Sequence, residues 1–130
     1  MLSFSLWGPQ PFYSYGAMIN LVLAGKFYPD WSCRFYVDAA VPRACVAFLR
    51  DHGGDVRNIE DEYPGVGLFQ RFLVMNDPKV GRFLVRDCDA RLSAAEADLV
   101  RVLGRSSSAV PSGNVRPHLE SAPVMMTSLL

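Results

Sequence analysis

Short apolar runs alternate with longer segments of helical character along the first hundred residues of the chain. Aromatic and β-branched residues bounded by turn residues are typical of strands. Three such runs predict strands, namely SFSLWG (3–8), CRFYVD (33–38) and KVGRFLVRD (79–87), and DVRNIED (55–61) is a weaker candidate.

The segments between and after these strands predict helices. YSYGAMINLVLAG (13–25) is apolar almost all round, which predicts a helix that is buried against a sheet. VPRACVAFLRDHGG (41–54) places Pro42 at the first position of a second helix. GVGLFQRFLVMNDP (65–78) predicts a third helix, and SAAEADLVRVLG (93–104) predicts a fourth.

Two of these helices can be described in more detail. The fourth opens with a capping box, in which Ser93 accepts from the backbone near Glu96 and the Glu96 side chain reaches back. In the third, four large apolar residues recur at helical spacing: Leu68, Phe69, Phe72 and Met75.

The alternation of strands and helices predicts an α/β fold, a Rossmann-like and mainly parallel sheet with helices on both faces. In such sheets ligands bind at the carboxyl ends of the strands. Asp38 and the pair Asp87 and Asp89 both follow predicted strands directly. They are therefore the first candidates for a site.

The C-terminal part of the chain has a different composition. Residues 106–130 contain six serines, three prolines and two charged side chains, and they show no periodicity. This composition predicts one folded unit over residues 1–104 and a disordered or non-homologous tail over residues 105–130.

Composition narrows the function classes. The 130 residues include 13 basic and 13 acidic side chains, so nucleic acid is not an expected partner. The longest apolar stretch, AMINLVLAG (17–25), is about half of a membrane span. Three cysteines without metal-ligand spacing predict reduced, mostly buried thiols, and with no signal peptide at the N-terminus we expect a cytoplasmic protein.

The stretch RDCDAR (86–91) carries the candidate chemistry. Two carboxylates one residue apart after a strand repel each other unless a cation lies beside them. Mg²⁺ and Mn²⁺ prefer oxygen ligands and often complete their shell with phosphate oxygens, which predicts a phosphorylated substrate. The alternative is that Asp87 and Asp89 are turn residues paired with Arg86 and Arg91.

Longer motifs around this stretch resemble a known family. SLWG (5–8), YSYGAMINLVLAGKFYPDWSCRFYVD (13–38), VP (41–42) and FQRFLVMNDPKVGRFLVRDCDARLS (69–93) are similar to bacterial and viral glycosyltransferase-like proteins of the GT-A fold. Those proteins carry an RDxDSRL motif. The resemblance covers residues 3 to about 96 and implies the N-terminal half of a GT-A glycosyltransferase domain.

The resemblance implies roles for the matching positions. Asp87 and Asp89 would hold Mn²⁺ or Mg²⁺ on the diphosphate of a nucleotide-diphosphate sugar. The end of the first strand, with Leu6, Trp7 and Gly8, would receive the base and ribose. The basic side chains of Arg71, Arg86 and Arg91 would face the sugar or the phosphates. Packing for Trp7 and a solvent-facing position for Arg71 are the alternatives.

The chain also departs from the family pattern. Ala90 stands where the family has serine, and the tail does not resemble the family's continuation into an acceptor half. The expected function is transfer of a sugar to an unidentified acceptor hydroxyl by an incomplete domain. A non-catalytic remnant is the second reading. A haloacid-dehalogenase-type phosphatase is the third, although Arg91 replaces its usual Thr or Val and the motif follows a late strand.

Overall fold

A sheet of parallel strands organises the protein, whose computed structural model describes residues 1–58, 63–106 and 124–127. In this part of the chain the sheet has five strands in the order β3-β2-β1-β4-β5, and every pairing is parallel. The strands are β1 (Leu2–Leu6), β2 (Cys33–Val37), β3 (Asp55–Asn58), β4 (Arg82–Asp87) and β5 (Val124–Thr127). The predicted α/β, Rossmann-like fold is confirmed.

Helices cover both faces of this sheet. The α-helices are α1 (Pro11–Phe27), α2 (Arg43–Asp51) and α3 (Ala94–Ser106), and a 3-10 helix spans Gly67–Asn76. Apolar side chains of the three α-helices share one core with Phe4, Phe35 and Leu84 on one face of the sheet. The 3-10 helix packs on the opposite face, where Tyr36, Phe83 and Val85 form a smaller cluster with Val74.

The cap of α3 agrees with the sequence pattern only in part. The backbone N–H of Glu96 donates to Ser93 Oγ at 3.3 Å, as a capping box requires. The Glu96 carboxylate instead accepts from Arg86 Nη1 at 3.0 Å. An arginine buried between the sheet and α3 needs a charged partner, and this need takes the glutamate away from the cap.

Helix α1 packs against the sheet, as predicted, but only one of its sides is buried. Small and polar side chains face the sheet, with Ala17 and Asn20 at 0% exposure. The large apolar side chains on the other side are exposed, namely Phe12, Tyr15, Ile19 and Val22. A uniformly apolar helix does not indicate which side faces the sheet, and here the small residues permit the closest approach.

The third predicted helix is a 3-10 helix, and its buried face differs from the predicted one. Leu68, Phe69 and Met75 are exposed, while Val74 is buried. Positions three residues apart share a face in a 3-10 helix. Arg71 and Val74 accordingly lie toward the sheet, and β1 holds the backbone of the segment through serine side chains.

The C-terminal region is described only in part. Helix α3 continues to Ser106, two residues past the predicted boundary, and β5 pairs with β4 in a region for which no strand was predicted. Residues 107–123 and 128–130, in which most of the predicted tail falls, lie outside the described residues. None of the helices in the described ranges has the length and apolar character that crossing a membrane requires.

Candidate functional site

The order of the strands creates a crevice at the carboxyl ends of β1 and β4. Strands β2 and β3 follow β1 in sequence and lie on one side of it in the sheet. Strand β4 comes next in sequence and lies on the other side of β1. At such a switch point the connections leave in opposite directions, and ligands bind in the gap between them. Ser5 and Asp87 are register partners there, so Asp87 ends its strand beside the end of β1.

A cavity of about 980 Å³ opens at this switch point. Its polar wall is formed by Asp87 at the end of β4, by Asp89 in the turn that follows, and by Ser5 of β1. Aromatic and apolar side chains form the rest of the wall, among them Trp7, Tyr13, Leu68 and Phe69. The structure therefore brings together two carboxylates and a set of aromatic rings, which suits a ligand with both charged and flat parts.

Asp38 fixes the loops at the ends of β1 and β2. Its carboxylate accepts the backbone N–H of Gly8 at 3.0 and 3.2 Å, and those of Ala40 and Val41 at 3.1 Å. The residue is only 7% exposed. Asp38 lies at the strand end, as the sequence predicts, and its oxygens bind the protein's own amides rather than facing the cavity.

Helix α1 holds the turn that carries the aspartates. Asn20 Nδ2 donates to the carbonyl oxygens of Cys88 and Ala90 at 3.1 and 3.0 Å, and Asn20 Oδ1 accepts the Leu92 N–H at 3.1 Å. A Cβ atom at Gly16 would lie 2.2 Å from the Cys88 carbonyl oxygen, so only glycine permits this approach. Two residues of α1 thus set the position of the turn.

Arg71 reaches Asp87 from a fixed backbone position on the 3-10 helix. Ser5 Oγ accepts the Arg71 N–H at 2.7 Å, and Ser3 Oγ donates to the Arg71 carbonyl oxygen at 2.6 Å. The guanidinium forms an ion pair with the Asp87 carboxylate. Burial lowers the pKa of Arg71, although the nearby Asp89 carboxylate acts in the opposite direction.

Trp7 forms one wall of the cavity and packs against a glycine turn. A Cβ at Gly67 would lie 3.2 Å from the indole ring, and Gly67 has a φ of +50°, so glycine suits this position on both counts. Trp7 remains 44% exposed. Its ring is therefore supported on one side and accessible from the cavity.

Five of the residues predicted for the site do not line the cavity, and one of them, Arg71, is connected to it only through the ion pair with the lining residue Asp87. Leu6 is 1% exposed and belongs to the core, and Gly8 binds Asp38 through its backbone. Arg86 is buried on the sheet face that carries the α-helices, where it pairs with Glu96. Arg91 donates to the Cys88 carbonyl oxygen at 2.9 Å and supports the turn.

The donor set fits a hard divalent cation with only two ligands from the protein. In the described ranges no group of three or more His, Cys, Asp or Glu side chains is placed to hold a metal. Mg²⁺ and Mn²⁺ sites often use one or two carboxylates and complete the shell with water and phosphate. Burial raises the pKa of the Cys88 thiol to about 12, and the thiol donates to the Ser5 carbonyl oxygen.

Comparisons with known proteins add no relative. The chain matches no protein-family model, no curated protein and no solved structure. The function of the cavity must therefore be argued from its own geometry and chemistry.

Several residues that build the site were not predicted from the sequence pattern. Ser3 and Ser5 read as ordinary strand residues, yet both hydroxyls anchor the 3-10 helix. Asn20 is the one polar side chain between Ala17 and Gly25 in the sequence, and it is fully buried. A buried amide in an apolar helix indicates a specific hydrogen-bond partner, and this is the signal by which it could have been found.

Proposed function

We propose that this protein binds a nucleotide-diphosphate sugar at the carboxyl ends of β1 and β4 and acts as a metal-dependent glycosyltransferase domain. The observation that carries the proposal is that Asp87 and Asp89 line one cavity with Trp7 at the switch point of a Rossmann-like sheet. This is the place where such sheets receive nucleotides. The motif resemblance found in the sequence supports the same reading.

Each part of the cavity has a chemical counterpart in such a ligand. Asp87 and Asp89 would hold Mn²⁺ or Mg²⁺, which when bound neutralises negative charge on a departing diphosphate. Arg71 provides a partly buried guanidinium paired with Asp87, and this group would bind phosphate oxygens of a ligand held beside Asp87. Trp7 offers an indole face, on which a nucleobase can stack.

The location proposed for the protein rests on its thiols. Cys33, Cys45 and Cys88 are all buried and unbridged. Free buried thiols are typical of proteins from reducing compartments. We therefore propose a cytoplasmic location as well.

Metal-dependent nucleotide binding tests the proposed function directly. We expect calorimetry with the full chain to show binding of at least one common nucleoside diphosphate in the presence of Mn²⁺, and loss of that binding when EDTA removes the metal. Inorganic pyrophosphate with Mn²⁺ serves as the control for the phosphate part alone. If no common nucleoside diphosphate binds with either metal, the proposal is wrong.

A substitution at Trp7 distinguishes the contribution of the nucleobase to binding affinity from that of the phosphates. Trp7→Ala is expected to weaken binding of the nucleoside diphosphate by roughly tenfold or more, since base stacking on an aromatic ring contributes about 1–3 kcal/mol. The affinity for pyrophosphate with Mn²⁺ should stay unchanged. Trp7→Phe keeps a ring and should retain most of the affinity.

The matched control for Trp7 is Phe12→Ala, which removes an exposed aromatic ring from the nearby start of α1. Phe12 is not among the residues that line the cavity. An equal loss of affinity for pyrophosphate in Trp7→Ala would show that the indole only supports the fold of the loop.

A further inference from the structure

The Arg71 side chain starts from a backbone that β1 holds firmly. Two hydroxyls of one strand, Ser3 and Ser5, bind the carbonyl oxygen and the N–H of the same residue at 2.6 and 2.7 Å. Ser5 is also the register partner of Asp87 on β4. The sheet therefore sets the distance that the Arg71 side chain spans to reach Asp87.

The Arg71 guanidinium uses only part of its hydrogen-bonding capacity. One terminal nitrogen pairs with Asp87 Oδ1, and the centre of the group lies 5.7 Å from the Phe72 ring. Nε is buried and has no hydrogen-bond partner among the described residues. A buried N–H without a partner is costly, so the group has donor capacity that a ligand could satisfy.

The ion pair and the cation site use the same carboxylate. Asp87 is 48% exposed as a side chain and faces the cavity, whereas the Arg71 side chain is 18% exposed. A divalent cation on Asp87 and Asp89 would lie next to the Arg71 guanidinium, and like charges at short range repel. Both cations cannot hold Asp87 equally well at the same time.

We propose that Arg71 is an exchangeable internal cation, which occupies Asp87 until a diphosphate arrives and then transfers to the phosphate oxygens. The inference rests on the proposed function, since it assigns the second position of Arg71 to the diphosphate of the same ligand. The consequence is that a divalent cation binds weakly alone and strongly together with the diphosphate. Arg71 thereby couples the two binding events.

Calorimetry on Arg71 variants tests the exchange. Arg71→Met is expected to bind Mn²⁺ alone about tenfold more tightly than the natural chain, equivalent to about 1.4 kcal/mol. The same variant should bind a nucleoside diphosphate in the presence of Mn²⁺ about tenfold more weakly, because a phosphate partner is lost. Arg71→Lys keeps the positive charge and should leave the affinity for Mn²⁺ alone near that of the natural chain.

The control is Arg57→Met, which removes the same charge from an exposed ion pair with Asp55. Arg57 lies on the edge strand β3, two strands away from the end of β1 at which the cavity opens. This substitution should change neither affinity. An unchanged or weaker affinity of Arg71→Met for Mn²⁺ alone overturns the exchange, even if nucleotide binding supports the proposed function. A different outcome is that Arg71→Met binds Mn²⁺ more tightly but no nucleoside diphosphate binds to any form of the protein. Competition between Arg71 and the metal for Asp87 would then stand, while the transfer to phosphate and the proposed function would both be rejected.

Discussion

Asn20→Leu is expected to lower the free energy of unfolding by about 3 kcal/mol, because three buried backbone groups lose their hydrogen-bond partner at once. The Cys88 and Ala90 carbonyl oxygens and the Leu92 N–H all bind this one amide. Leucine has the same branched arrangement of side-chain heavy atoms and offers these groups no hydrogen bond. In a domain of this size the midpoint of thermal unfolding should fall by more than about 10 °C.

A second variant shows which half of the amide matters. Asn20→Asp keeps the acceptor for the Leu92 N–H and places a carboxylate oxygen against two carbonyl oxygens. Repulsion and burial of charge should make it at least as destabilising as the leucine variant. Both variants are expected to weaken binding of Mn²⁺ with a nucleoside diphosphate at a temperature where they remain folded, because the turn that carries the aspartates loses its support.

The control for Asn20 is Val22→Ala, a change at an exposed position of the same helix. It should alter the free energy of unfolding by less than about 0.5 kcal/mol. Thermal and denaturant unfolding measure all three variants. If Asn20→Leu also falls within that range, the hydrogen bonds between α1 and the turn do not hold the site.

The order of strands and helices could be predicted because local signals agree with the fold. Phe35, Tyr36 and Val37 between turn residues predict β2, and the structure places it at Cys33–Val37. Pro42 and the Gly53-Gly54 pair bracket α2 in the same way. Turn residues and apolar periods are local properties of the chain, so they can be read without knowledge of the tertiary contacts.

The orientation of α1 and the type of the 3-10 helix depend on contacts that no local pattern contains. The face of α1 that packs inward is decided by the approach of the Cys88 carbonyl to Gly16. The 3-10 segment is held by hydroxyls of Ser3 and Ser5, more than 60 residues away in sequence. Tertiary hydrogen bonds of this kind override helix propensity, which is a weak preference.

The alternation of side chains along a strand explains which of the predicted site residues reach the cavity and which do not. Asp87 and Arg86 are neighbours, so they point to opposite faces of the sheet, and only Asp87 reaches the cavity. Leu6 and Trp7 divide in the same way at the end of β1. The period of two, applied to each motif residue, would have removed Leu6 and Arg86 from the predicted site.

Substitutions of Asp87 and Asp89 should differ in their effect on stability, because the two side chains differ in burial and in their contacts. Asp89 is exposed, and its side chain forms no ion pair or hydrogen bond with the described residues, whereas Asp87 pairs with Arg71. Asp89→Asn is therefore expected to remove metal-dependent nucleotide binding while the midpoint of thermal unfolding stays unchanged. Asp87→Asn should remove the same binding and also lower the free energy of unfolding, by roughly 1 kcal/mol because the ion pair is partly exposed.

The expected loss of affinity for the nucleoside diphosphate with Mn²⁺ is at least about 100-fold in each variant, equivalent to about 2.7 kcal/mol. Such a loss is expected when one of the two proposed protein ligands is removed, and the proposed sugar transfer should be lost with it. Asp98→Asn is the matched control, because Asp98 is exposed on α3 and pairs with Arg101 away from the cavity. If Asp89→Asn binds as tightly as the natural chain, the cation is not held at this turn, and the pairing of two carboxylates at the end of β4 serves the loop rather than a ligand.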